Sequence, residues 1–127
     1  MDYLTTTREL TDRIPSLDAR DPLIRAALDL ATQPWLAGIH SGADALLWGE
    51  FATSVQSVAD RLWPSPVTLR ISAPAPAAGP ALNHATAELT RTVADRFARA
   101  ATDPTEPDAW TFAQAAAELR TATEDLP

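Results

Sequence analysis

Apolar residues recur at helical spacing along most of the chain. In the first segment, about Asp2–Ile14, Leu4, Leu10 and Ile14 fall near one side, while Arg8/Asp12 and Glu9/Arg13 stand one turn apart on the other. Pro15 ends it. A second helix is predicted to begin at Asp21, a good N-cap, with Pro22 at its first position. Leu23, Ile24, Ala27, Leu28 and Ala31 make its apolar stripe, and Asp21, Arg25 and Asp29 alternate in sign along the exposed one.

The third segment, Pro34–Trp63, is the longest, bounded by Pro34 and Pro64. Leu47, Phe51, Val55, Val58 and Leu62 recur at steps of three or four and share one face. Gly38, Gly42, Ala45, Gly49 and Ala52 share the opposite face if the helix is continuous. Ser41 followed three residues later by Asp44 instead resembles a capping restart, and the expectation is a helix kinked or broken near Gly42. Residues Pro64–Pro80 lack a helical period, and a Pro/Ala-rich connector at 64–80 is expected, with Val67–Ile71 as a short extended stretch. A fourth helix, about Ala81–Ala101, carries Leu82, Ala85, Leu89, Val93 and Phe97 on one side. Thr105, with Asp108 three residues on, marks a last helix of about Glu106–Asp125 in which Phe112, Ala116, Leu119 and Leu126 face inward.

These segments predict an all-α fold: residues 1–127 form one domain, a bundle of four to five helices with 34–63 as its central element. Composition sharpens the expectation. Of 127 residues, 26 are alanine, while Leu, Ile, Val and Phe together also number only 26, so the core is thin and relies on close helix approach. Three of the four glycines lie between 38 and 49. Each costs about 1 kcal/mol relative to alanine inside a helix, so each needs a reason: a loop or kink, close contact with another helix, or a ligand against bare backbone.

Cysteine is absent, which excludes disulfides, thiolate metal sites and cysteine nucleophiles. No apolar run approaches the ~18 residues of a membrane span, and the N-terminal residues lack a basic stretch followed by an apolar one, so a cytoplasmic protein is expected. The net charge of −7 argues against duplex nucleic acid as a partner. That charge is uneven, at −4 over 1–63, +1 over 64–103 and −4 over 104–127, so Arg91, Arg96 and Arg99 lie in the one non-acidic helix. They either pair with acidic neighbours or form an anion-binding strip that makes weak nucleic-acid contact.

Catalytic signatures are missing: no phosphate-binding glycine loop, dinucleotide fingerprint, nucleophile elbow or HExxH pair occurs. No cofactor or metal is implied. His40 and Asp44, one helical turn apart, can form an imidazole–carboxylate dyad, and Glu50 can approach the same region. With an apolar pocket, His40, Asp44 and Glu50 would make a small-ligand site or an enzyme. The favoured expectation is instead a non-catalytic interaction or regulatory module, binding a protein partner or itself as a homodimer through 38–52. Gly38, Gly42 and Gly49, with Trp35, Trp48 and Trp63, are its expected contact residues, because small residues admit a close neighbour and indoles supply contact area. Trp35 and Trp63, beside prolines at helix ends, are the two expected to be exposed.

Overall fold

Five α-helices form among the residues described by the computed structural model, 2–65, 69–74 and 76–127, and no strand is found among them. Helix α1, Tyr3–Arg13, is capped by Asp2, whose carboxylate accepts from the Thr5 amide at 2.8 Å; a 3₁₀ turn over Ile14–Ser16 follows as Pro15 interrupts the α pattern. Helix α2, Pro22–Leu36, starts at the expected Asp21 cap, with the Asp21 carboxylate accepting from Leu23 N at 2.9 Å.

The boundary expected at Pro34 is wrong. Pro34 lies buried in the last turn of α2, where its missing N–H forfeits one bond in a helix that is about to end. The chain then reverses over 37–41, with Gly38 at φ +70° and Gly42 at φ +59°, in the left-handed region that a side chain resists. Helix α3 is therefore Gly42–Leu62, and the expected break near Gly42 is present. Ser41 holds the N-cap position of α3 without a side-chain cap bond.

Helix α4, Pro80–Ala101, matches the expected fourth segment. The last helix, α5, is Ala109–Glu124 and starts later than Glu106, because the polar side chains ahead of it are used otherwise. Asp103 accepts from both the Thr105 amide and hydroxyl, while Glu106 and Asp108 both bind Arg20. In the connector, Ile71 and Ala73 pack on the core, and the Ile71 carbonyl accepts from Gln33 Nε2 at 2.6 Å. Of the extended stretch expected at Val67–Ile71, residues 67 and 68 lie outside the described residues; 69–71 form no regular element.

Helix α4, not α3, is the hub: it packs against α1, α2 and α5, while α3 packs against α2 and α5. One core runs through all five helices. Trp48, Phe51, Phe97 and Phe112 fill its volume, and Ala26, Ala27, Ala31, Ala52, Ala59, Ala94 and Ala115 close the gaps between helices. Close packing in this chain is thus largely the work of alanine set among a few large rings; Gly38 and Gly42 have another task, at the turn. Two buried hydroxyl pairs lock α4 in place: Tyr3 Oη with Thr86 Oγ1 at 2.8 Å toward α1, and Thr90 Oγ1 with Thr123 Oγ1 at 2.7 Å toward α5.

Candidate functional site

The expected contact residues separate into three groups. Gly38 and Gly42 are turn residues, and a Cβ on either would meet nothing within 4 Å, so neither admits a neighbouring helix within this chain. Trp48 is fully buried, its indole donating to Asn83 Oδ1 at 3.3 Å and standing edge-on to Phe51 at 5.4 Å between ring centroids. Trp63 is half-buried, donates to the Arg20 carbonyl at 3.2 Å and packs near Phe97. Trp48 and Trp63 therefore hold the fold together and offer little surface.

Trp35 and Gly49 remain, and they belong together. The indole of Trp35, at the end of α2, lies on bare backbone at Gly49 in α3, where an added Cβ would stand 3.1 Å from Nε1. Trp35 is still 37% exposed, and Leu46, one turn earlier on α3, is 72% exposed. Both line an open groove of about 640 Å³ with Ala45, Gly49, Glu50, Thr53, Ser54 and Asp125. Thr53, Ser54 and Asp125 also line a second depression of about 510 Å³ that continues between α3 and α5 to Arg61 and Glu118. The two make one furrow. Its floor is of small side chains, and its far end is crossed by a two-bond ion pair, Arg61 Nη2 to Glu118 Oε2 at 2.8 Å and Nη1 to Oε1 at 3.1 Å.

The polar trio does not assemble. His40 stacks on Trp48 at 4.6 Å between centroids and 20° between planes, and both of its ring nitrogens are occluded without a hydrogen-bond partner. Burial holds its pKa below the ordinary imidazole range, and the nearby Asp44 carboxylate opposes that shift without bonding to the ring. Asp44 is exposed, and Glu50 faces the furrow, which neither His40 nor Asp44 lines. No group of three or more histidine or acidic side chains able to hold a metal ion occurs among the described residues.

The arginines of α4 fit neither expectation. Arg96 Nε donates to the Leu17 carbonyl at 2.7 Å and Arg99 to the Pro15 carbonyl, tying α4 to the 3₁₀ turn; Arg91 is exposed. Two of the three cations expected in an anion-binding strip are thus spent on backbone oxygens. The helical charge pairs Arg8/Asp12 and Glu9/Arg13 do not close, whereas Arg25 reaches both Asp29 at 3.3 Å and Asp60 at 3.0 Å.

No expectation covers the exposure of Leu36, Leu46, Leu69 and Trp110. Leu46 lies in line with Glu50, Thr53 and Ser57 at steps of four, three and four, a leucine on an otherwise polar face. Trp110, 75% exposed in the first turn of α5, faces away from the Phe112–Ala116–Leu119 stripe by the same arithmetic. No helix is long and apolar enough to cross a membrane among the described residues. In comparisons with known proteins, no family model, curated protein or solved structure matches the chain.

Proposed function

We propose that this chain is a non-catalytic interaction module that docks a protein through the α3/α5 furrow, with Trp35 and Leu46 as its apolar anchors. One observation carries the reading: a leucine and a tryptophan stand exposed side by side at the mouth of a furrow floored by small side chains. A helix surface normally reserves such positions for polar residues, and an indole beside a groove supplies contact area at little entropic cost. The scattered positions of His40, Asp44 and Glu50 favour this reading over a small-ligand site or enzyme. A cytoplasmic setting is part of the proposal.

Replacing Leu46 with a photo-cross-linking residue in the native cell tests the proposal, with Trp110, equally exposed and outside the furrow, as the control position. The expected result is a discrete covalent adduct from position 46 and none from position 110. An adduct with a second copy of this chain would identify the homodimer through 38–52. Equal yields from both positions, or none from either, would overturn the proposal.

A further inference from the structure

Charge decides what the furrow takes. Glu50 and Asp125 both line it, and neither enters an ion pair. The one cation along it among the described residues, Arg61, is held bidentate by Glu118 and is already neutralised. Asp125 also caps the C-terminal end of α5, where the aligned peptide dipoles add negative potential. An apolar furrow with two unanswered carboxylates on its flank, in a chain of net charge −7, repels a second copy of itself in this register.

Resting on the docking reading above, we infer that the occupant is a basic amphipathic helix of another protein. Its apolar side would lie on Trp35, Ala45 and Leu46, and its arginines or lysines would meet Glu50 and Asp125. The dimensions agree. Between Leu46 and Arg61, α3 rises about 22 Å at 1.5 Å per residue, so the furrow accepts about four helical turns. The floor residues Ser54, Ser57, Ala117 and Ala122 are small enough for a second backbone to approach. This is helix-in-groove recognition with an electrostatic bias toward cations.

The test uses three dye-labelled synthetic peptides of equal length: a leucine/lysine amphipathic helix, a leucine/glutamate helix with the same apolar face, and a scrambled leucine/lysine peptide with no apolar face. Fluorescence anisotropy against the whole chain should show the leucine/lysine helix binding at least roughly tenfold tighter than either of the others. Leu46→Ser should weaken it roughly fivefold or more, through lost apolar burial alone. The double variant Glu50→Gln/Asp125→Asn should weaken it roughly threefold or more at low salt, and the difference from the unmodified chain should close as salt rises. Trp110→Ser should leave it unchanged. Leu46 is mostly exposed, so its replacement leaves the fold intact, which circular dichroism verifies.

Equal binding of the acidic or the scrambled peptide would overturn the inference, as would a loss on Trp110→Ser matching that on Leu46→Ser. If position 46 still captures a discrete protein in cells, the docking reading survives and only the chemistry of the occupant is wrong. If position 46 captures nothing and no peptide binds, both fail.

Discussion

Gly49→Ala and Gly38→Ala should move stability in opposite directions. Gly49 sits within α3 at ordinary helical geometry, so alanine there gains about 1 kcal/mol of helix propensity. Against that gain, the new Cβ would stand 3.1 Å from Trp35 Nε1, 3.5 Å from Cε2 and 3.8 Å from Cζ2. The indole is 37% exposed and can slide outward by a few tenths of an ångström, forfeiting about 0.5 kcal/mol of contact. The net is a stabilisation of about 0.5 kcal/mol. Gly38 meets nothing within 4 Å, so only its φ of +70° counts. A left-handed alanine costs about 1–2 kcal/mol, and the lost freedom of the unfolded chain returns about 0.4–1 kcal/mol. That leaves Gly38→Ala destabilising by about 1 kcal/mol. Urea unfolding followed by circular dichroism, with unchanged dependence on denaturant, resolves a difference of about 1.5 kcal/mol between the two variants. Gly49→Ala costing more than about 1 kcal/mol, or Gly38→Ala being neutral, would refute this division of labour among the glycines.

Other consequences follow from the same contacts. His40 is held below its ordinary pKa of 6.5, so the folded chain binds its proton less readily than the unfolded chain. The stability it contributes is therefore present above about pH 6.5 and declines as pH falls toward the depressed folded value. Thermal midpoints at about pH 7.5 and 5.5 should show the decline, and His40→Phe, which can keep the stacking on Trp48, should reduce it; an unchanged pH slope would contradict the assignment. Tyr3→Phe removes the buried 2.8 Å bond to Thr86 and should cost about 1 kcal/mol, measured by denaturant midpoint. Arg96→Ala strips the Leu17 carbonyl of a charged donor and should cost about 1.5–3 kcal/mol, while Arg91→Ala stays within about 0.5 kcal/mol. Equal effects of the two arginine variants would mean the tie to the 3₁₀ turn carries no weight.

The helices were legible where local chemistry and periodicity agree. Asp21–Pro22 announces α2, and the stripe Leu82–Leu89–Val93–Phe97 announces α4, because capping and one-face burial are both written in nearby residues. Pro34 misled for a physical reason: a proline that can open a helix can also sit in the last turn of the preceding one, where few bonds remain to lose. Thr105 and Asp108 carry the spacing of a helix start, but Asp103, next to them in sequence, and Arg20, far away in it, claim those polar groups first. Such competition is tertiary and leaves no mark on the local pattern. The hub role of α4 likewise depends on which faces meet, and spacing along one helix does not encode that.

Part of the surface was readable and part was not. Trp35 at a helix end was expected to be exposed and is, whereas Trp63, expected to match it, is tied down by the Arg20 carbonyl. Leu46 and Trp110 were available to a stricter reading, since each lies on the polar side of its own helix. What no pattern showed is that α5 would come alongside α3 and turn Glu50, Thr53 and Ser57 from a solvated face into one wall of a furrow.

Amide hydrogen exchange of the whole chain, with and without the leucine/lysine helix, maps where that helix lies. Slowed exchange confined to the end of α2 at Trp35 and to residues 45–61 and 117–125 is the predicted footprint. Protection along α1 and α4 instead, or spread evenly over the acidic surface, would contradict it.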